Sequence, residues 1–222
     1  MASAQILLAS NSPRRHELLL LTGWSFEIKP ANIDETPLAG ELPAQYVLRL
    51  AETKARMVGS HAAPGQVVLA ADTTVADGYF LLGKPADPAE AEQMLVRLRG
   101  KVHQVYTALA VFDPFTGRLL NDLCTSQVSM RWYRQDELVA YVSSGDPLDK
   151  AGGYAIQDAA FHPVEHFAGC FASVMGLPLC HVTRTLQKFG LHPAVDIPQA
   201  CQTHLDYQCP IYPAVLRGED VG

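Results

Sequence analysis

The sequence lacks several features that mark whole classes of protein. No run approaches the roughly 18 consecutive apolar residues of a membrane-spanning helix, and the first residues lack the basic segment of a secretory signal. We therefore expect a cytoplasmic protein that makes no use of a membrane. The 222 residues contain only five cysteines, an odd number with no CxxC pair, which argues against a disulfide framework and predicts reduced thiols.

Positive charge is also scarce. Lys and Arg together number 17 against 23 Asp and Glu, so the formal net charge is −6. This balance disfavours a general attraction to nucleic acid, and any bound anion must be held by a local basic cluster. The hydrophobic content of 48% supports a substantial packed core. A small molecule, and not a nucleic acid, is therefore the expected partner.

Short apolar runs alternate with helical patterns along the chain. The runs cover residues 5–9, 25–28, 67–71 and 105–112, and Gly, Pro or polar clusters bound them, as is typical of buried strands. Helical patterns cover residues 43–58, the stretch from Asp87 to a stop at Gly100, and about 135–144. Turn residues at 113–117 favour an antiparallel hairpin. We predict an α/β fold with a mixed, twisted sheet flanked by helices.

The end of the chain differs in composition. Residues 191–222 are rich in Pro, Cys, Tyr and Gln and show no clear periodicity. No internal repeat and no interdomain linker precedes residue 190. We therefore predict one domain over residues 1–190 and a tail of unknown role over residues 191–222.

Two adjacent arginines stand on the first turn of the first predicted helix. Ser12 suits the N-cap, and Pro13 suits the first helical position, where its missing N–H costs nothing. The free N–H groups and the dipole of such a helix start favour an anion, and Arg14 and Arg15 add forked donors suited to phosphate. A solvated basic turn is the alternative, but cations at a helix N-terminus cost about 0.3–1 kcal/mol. We interpret this segment as a phosphate site.

Two charged residues stand at apolar positions. Lys54 follows Val47 and Leu50 at helical spacing, so it lies on the apolar stripe of this helix. The alternative to a buried ammonium is that only the stem packs there while the ammonium extends to water. Asp72 ends the apolar run 67–71, which predicts a carboxylate at the carboxyl end of a central strand, where ligands gather in open α/β sheets. A simple turn or cap residue is the alternative for Asp72.

Three loop segments offer further polar groups. Glu35 lies in an acidic turn, and Lys84 stands in a rigid Gly-Lys-Pro loop. The pair Gly152 and Gly153 could let backbone approach a ligand while Gln157 reads its polar edge. Each segment alone is also typical of an ordinary solvated loop.

Five motifs occur in one order along the chain. They are Ser10-x-Ser12-Pro13-Arg14-Arg15, Tyr46-Val47-x-Arg49-Leu50-Ala51-x-x-Lys54-Ala55, Ala71-Asp72-Thr73, Gly83-Lys84-Pro85 and Asp149-Lys150-Ala151-Gly152-Gly153-Tyr154-x-Ile156-Gln157. Together they resemble the Maf family of nucleoside triphosphate pyrophosphatases, which are structurally related to the inosine triphosphate pyrophosphatases. The resemblance covers about residues 5–190.

The resemblance implies a reaction and a set of roles. A nucleoside triphosphate would be hydrolysed to the monophosphate and pyrophosphate in a cleft between two lobes, by a homodimer that uses Mg²⁺ or Mn²⁺. Glu35 and Asp72 match the carboxylates that hold the metal, and Asp72 also matches the general base. The matching substrate-binding residues are Ser10, Ser12, Arg14, Arg15, Lys54, Thr73, Lys84 and Gln157.

The residues implied to set base specificity are Arg14, Thr73 and Gln157. This set resembles the subgroup that acts on dTTP and UTP in clearing surplus or noncanonical nucleotides, because an amide can pair with O4 and N3–H of thymine or uracil. One alternative is a pyrophosphatase for 7-methyl-GTP or modified purines. Another is a non-catalytic nucleotide-binding regulator of cell division, although a pure binder gains nothing from the carboxylate of Asp72 beside a triphosphate.

Overall fold

The alternation of apolar runs and helical patterns produces a mixed α/β fold. A computed structural model describes residues 5–222 of the chain. Its strands are β1 (Ile6–Leu8), β2 (Phe26–Ile28), β3 (Val67–Asp77), β4 (Phe80–Leu82), β5 (Val102–Phe112), β6 (Leu119–Met130) and β7 (Val164–Ala168). Its α-helices are α1 (Pro13–Leu20), α2 (Pro43–Gly59), α3 (Pro88–Leu98), α4 (Gln135–Ser143), α5 (Phe171–Val174), α6 (Leu179–Gln187), α7 (Ile197–Leu205) and α8 (Tyr212–Leu216). Two 3-10 helices, Asp146–Asp149 and Ala151–Gly153, follow α4.

All seven strands join one sheet in the order β2-β1-β3-β5-β6-β7, with β4 paired to β3. Strand β1 runs parallel to β2 and β3, whereas the remaining pairs are antiparallel. The predicted hairpin is the β5–β6 pair, which turns at 113–118 between Phe112 and Leu119. The prediction of a mixed sheet flanked by helices is confirmed.

Side chains of β3 alternate between two packed layers. Val68 and Ala70 pack with Val47 and Leu50 of α2. Val67, Leu69 and Ala71 instead join the cluster formed with α1, α5 and α6. Because successive side chains of a strand point to opposite faces, β3 is covered by helices on both sides of the sheet.

Strand β3 is longer than its apolar run, which corrects the predicted place of Asp72. The run ends at Ala71, but pairing with β5 continues from Val68 to Ala76, so Asp72 lies in mid-strand opposite Ala108. Backbone hydrogen bonds to β5 carry the strand through its polar residues. The prediction from apolar content placed the strand end too early for this reason.

The other edge of β3 has a gap beside Asp72. Strand β1 pairs with β3 only as far as Leu69, and β4 pairs with it only from Val75 onward. Between these two points no strand in the described part of the chain covers this edge. Asp72 therefore lies just beyond the carboxyl end of the neighbouring parallel strand β1, at an edge position where ligands commonly bind in open α/β sheets.

Residues 191–222 contain structure that the sequence pattern did not predict. Helices α7 and α8 pack on the core through Ile197 and Val215. Arg184 of α6 donates from Nη1 to the carbonyl oxygens of Val215 and Glu219. Both helices are too short to show a clear periodicity in sequence. None of the helices within residues 5–222 is both long and apolar enough to cross a membrane.

Candidate active site

A cleft opens at the gap beside β3 and collects the residues singled out in the sequence. Its lining includes Ser12, Arg14, Arg15, Glu35, Lys54, Asp72, Thr73, Lys84 and Gln157. Ser10 is absent from the lining, but it contacts the cleft through a hydrogen bond to Arg15. Residues that come from widely separated parts of the sequence therefore meet at one place.

Lys54 connects the two acidic side chains of the cleft. Its Nζ lies 2.5 Å from Oδ1 of Asp72 and 2.7 Å from Oε1 of Glu35. Lys54 and Asp72 are each only 7% exposed, whereas the Glu35 side chain is 55% exposed. The ammonium thus pairs with a buried carboxylate instead of extending alone to water. The helical spacing on α2 explains this placement, since Lys54 shares the buried stripe with Val47 and Leu50.

The environment of Asp72 raises the proton affinity of its carboxylate. Burial raises the pKa of its carboxyl, and the nearby Lys54 ammonium and Arg15 guanidinium offset part of that effect. Only Oδ1 receives the bond from Lys54. Among the described residues Oδ2 accepts no hydrogen bond, so it remains available to a water or a ligand. A carboxylate of raised proton affinity suits the work of a general base.

Arg15 is held by three acceptors from separate segments. Its Nε donates to the carbonyl oxygen of Gly176 at 2.8 Å, Nη1 donates to Ser10 Oγ at 3.3 Å, and Nη2 donates to Thr73 Oγ1 at 3.2 Å. Burial lowers the pKa of Arg15, and the negative charge of Asp72 opposes that effect. An arginine still remains charged in such a setting. The guanidinium is therefore fixed in orientation.

Arg14 is engaged by an acid on the far side of the cleft. Its Nη1 donates to Asp149 Oδ2 at 2.8 Å, and its Nη2 donates to the Asp149 carbonyl oxygen at 3.1 Å. Ser12 occupies the predicted N-cap of α1, but its hydroxyl makes no capping bond. Its backbone N–H donates to Ser10 Oγ at 3.2 Å. The helix start is thus present as predicted, without side-chain capping.

Lys84 and the segment after the 3-10 helices complete the rim. Lys84 is exposed and forms no ion pair within residues 5–222. The preceding carbonyl, that of Gly83, accepts a hydrogen bond from the Gly152 N–H at 3.0 Å. Gly152 has φ +70°, and a Cβ there would lie 2.9 Å from Val75 Cγ2, so only glycine fits. Gln157 is also exposed and follows Gly152 by five residues in the chain.

Two residues of the cleft, Lys150 and Tyr46, stand in the sequence motifs but received no role from the sequence. Lys150 donates from Nζ to Asp149 Oδ1 at 2.6 Å and to Asp146 Oδ1 at 2.8 Å. Tyr46 donates its hydroxyl to the Glu35 carbonyl oxygen at 2.9 Å, and burial raises the pKa of that hydroxyl to about 12. Tyr46 lies eight residues before Lys54 on α2, so helical spacing could have identified it. The bond from Tyr46 holds the Glu35 loop against α2.

The two carboxylates of Glu35 and Asp72 would suit a divalent cation that takes its remaining ligands from water and phosphate. Within the described residues no group of three or more His, Cys, Asp or Glu side chains forms a metal cage. Glu35 and Asp72 nevertheless contact one ammonium group, so their carboxylates face the same small space. Oxygen donors suit Mg²⁺ or Mn²⁺, which commonly keep water and substrate phosphates as their other ligands.

The sequence of this chain is similar to those of known proteins. The family model described as "Maf-like protein" matches residues 5–189. The chain belongs to the Maf family. A protein of a Geobacter species named dTTP/UTP pyrophosphatase is 43% identical over 190 residues, which is 86% of this chain and 98% of that protein. A protein of Dehalococcoides mccartyi with the same name is 40% identical over 189 residues, which is 85% of this chain and 84% of that protein.

One solved structure shows a partial likeness to this Maf-family chain. The Staphylococcus aureus Ham1 protein aligns with 56% of this chain and 71% of its own length, at 15% identity and a TM-score of 0.39.

Proposed function

We propose that this protein hydrolyses nucleoside triphosphates, dTTP and UTP among them, to the monophosphate and pyrophosphate. Family membership and relatives of about 40% identity that are named dTTP/UTP pyrophosphatase support this reaction. The observation that carries the proposal is the contact of Lys54 with both Glu35 and Asp72 at the gap beside β3. A buried acid–base pair in a cleft is typical of a site built for chemistry.

The charge of the cleft suits a polyphosphate. Its lining contains five cations and three carboxylates, although the whole chain is negative. The cations are Arg14, Arg15, Lys54, Lys84 and Lys150. In this proposal Arg15 presents its remaining N–H groups to phosphate, Lys84 is free to approach it, and Arg14 reaches it from the start of α1.

Asp72 is the proposed general base. Lys54 holds Oδ1, which leaves Oδ2 to take a proton from the water that attacks the α-phosphorus. Burial raises the affinity of the Asp72 carboxylate for that proton, while the Lys54 ammonium keeps the ionised form accessible. Glu35 and Asp72 would hold the divalent cation. When bound, the cation lowers the pKa of the attacking water and neutralises charge on the phosphates.

Gln157 is the proposed reader of the base. Its amide offers both a donor and an acceptor, as thymine and uracil require at N3–H and O4. Thr73 and Arg14 complete the set that the family resemblance implies for pyrimidine triphosphates. The 7-methyl-GTP alternative has no comparable support here, because position 14 carries an arginine where an aromatic platform would favour a cationic base.

A nucleotide panel tests the proposal. Pyrophosphate release is measured with dTTP, UTP, GTP, 7-methyl-GTP and inosine triphosphate, with Mg²⁺ or Mn²⁺ and again with excess EDTA. The expected result is release from dTTP and UTP, lost with EDTA and reduced at least about 1,000-fold in Asp72→Asn. Nucleotide binding with no release under any metal would instead favour the non-catalytic regulator. A strong preference for 7-methyl-GTP would overturn the assignment of the base.

Two further expectations belong to this proposal. Family resemblance implies a homodimer, which sedimentation equilibrium on the purified chain would test. A chain shortened after residue 190 would test whether residues 191–222 form a separable tail. The packing of Ile197 and Val215 in the core leads us to expect that this truncation lowers stability.

A further inference from the structure

A buried threonine outside the motifs lies behind the arginine of the cleft. Thr107 is on β5, directly opposite Thr73 of β3, and none of its surface is exposed. It does not line the cleft and cannot touch a substrate there. Its hydroxyl nevertheless contacts both Thr73 and the segment that carries Gly176.

The hydrogen bonds of Thr107 have only one possible direction. Its Oγ1 lies 2.8 Å from the Ser173 carbonyl oxygen, and a carbonyl can only accept, so Thr107 donates its single proton there. Toward Thr73 Oγ1, at 2.9 Å, Thr107 must therefore accept. Thr73 in turn donates its only hydroxyl proton to Thr107. Its lone pairs are then left to accept the bond from Nη2 of Arg15.

The same hydroxyl also fixes the second acceptor of Arg15. The Ser173 carbonyl oxygen accepts from Thr107 and from the Gly176 N–H, at 2.9 Å. Thr107 thus ties β5 to the turn whose Gly176 carbonyl oxygen accepts from Nε of Arg15. That turn is close-packed, since a Cβ on Gly176 would lie 3.2 Å from Arg15 Nε.

We propose that Thr107 is a positioning residue that orients Arg15 for phosphate. One buried hydroxyl sets the polarity of Thr73 and anchors the Gly176 turn, so two of the three acceptors around the guanidinium depend on it. Of the five N–H donors of Arg15, three are bound by protein and two remain for a ligand. Their direction is decided by Thr107. The proposal rests on the proposed function for its kinetic consequence only.

Three variants test the proposal. Thr107→Val keeps the shape but removes the hydroxyl, Thr107→Ser restores the hydroxyl, and Thr183→Val is the matched control. Thr183 is also buried and donates to a carbonyl, that of Leu179, but it lies on α6 away from the cleft. We expect Thr107→Val to raise the KM for dTTP about tenfold or more with a smaller change in kcat. Thr107→Ser and Thr183→Val should stay within about twofold of the parent.

A spectroscopic measurement separates positioning from a loss of stability. The NMR signal of the Arg15 Nε–H is assigned as the one that disappears in Arg15→Lys. It should shift or broaden in Thr107→Val and stay in place in Thr107→Ser and Thr183→Val. If Thr107→Val does not fold, Thr107→Ala at low temperature carries the same two measurements.

The outcomes distinguish the two proposals. If the parent protein releases no pyrophosphate from any nucleotide, the proposed function fails while the NMR signal still decides the role of Thr107. An unmoved Arg15 signal together with an unchanged KM in Thr107→Val overturns the positioning role. Failure of Thr107→Ser to restore either readout overturns it as well.

Discussion

Arg14 and Asp149 form an ion pair that joins the start of α1 to a segment 135 residues later in the chain. The carboxylate of Asp149 also binds Lys150, so one acid bridges two cations at the rim of the cleft. The side chain of Asp149 is 55% exposed. Exposed ion pairs contribute little to stability, so the main effect of this bridge is expected on binding.

Replacing Asp149 should therefore separate binding from stability. Asp149→Ala is expected to raise the KM for dTTP several-fold, because Arg14 and Lys150 lose their shared partner, while the free energy of unfolding falls by at most about 1 kcal/mol. Steady-state kinetics and urea unfolding measure the two quantities. Asp136→Ala breaks an exposed pair with Arg134 outside the cleft and is the control. A KM equal in both variants would contradict the prediction.

Replacing Lys54 should damage both activity and stability. Lys54→Met leaves the buried Asp72 carboxylate and that of Glu35 without their shared ammonium. Removing one partner of a buried pair is expected to cost on the order of 3 kcal/mol in the free energy of unfolding, and kcat/KM should fall at least about 100-fold. Lys101→Met, which removes an exposed lysine beside Asp77, should change neither quantity appreciably. Near-parental activity in Lys54→Met would remove Lys54 from the mechanism.

Two glycines with similar backbone angles should respond differently to alanine. Gly152 has φ +70° with Val75 in the way of a Cβ, whereas Gly78 has φ +63° with open space around it. Both substitutions carry backbone strain of about 1 kcal/mol, but Gly152→Ala adds a steric clash of about 1–3 kcal/mol. Thermal unfolding should show a larger loss of stability for Gly152→Ala than for Gly78→Ala. Gly152→Ala should also have reduced activity. Equal losses would mean that the Gly152 contact relaxes freely.

The free energy of unfolding should decrease in acid because the buried His103 resists protonation in the folded protein. This histidine is buried, its Nε2 lies 2.7 Å from the Tyr154 hydroxyl oxygen, and burial lowers its pKa from 6.5 to about 4. The unfolded chain binds a proton below about pH 6.5 and the folded protein only near pH 4, so folding favours the neutral ring. The stabilisation is complete above pH 6.5 and is lost as the pH falls toward 4, by roughly 3 kcal/mol in total.

Urea unfolding at several pH values measures this effect. The free energy of unfolding of the parent protein should drop more steeply between pH 7 and pH 4 than that of His103→Gln. His61→Gln, which alters an exposed histidine, should follow the parent curve. Parallel curves for the parent and His103→Gln would show that other groups cause the acid sensitivity.

Local spacing along the chain was enough to place Lys54, one member of the Lys54–Asp72 pair. The period of α2 places Lys54 among buried residues without any knowledge of β3, because helical geometry depends only on neighbours along the chain. The N-cap of α3 was equally local, since Asp87 Oδ1 accepts from the Glu90 N–H at 2.8 Å. The end of β3, in contrast, cannot be derived from neighbouring residues in the sequence. Pairing with β5 decides it, and that partner begins 25 residues after Asp77.

The sequence by itself determined the α/β class, the motif order and the place of Lys54 on the apolar stripe of α2, because these depend on composition, residue order and short-range periodicity. Only the tertiary structure decided that Asp72 lies beside a gap in the sheet and that Asp149 engages Arg14. It alone also brought Thr107 behind Arg15. Each of these depends on hydrogen bonds between distant segments, whose direction and distance no local pattern encodes.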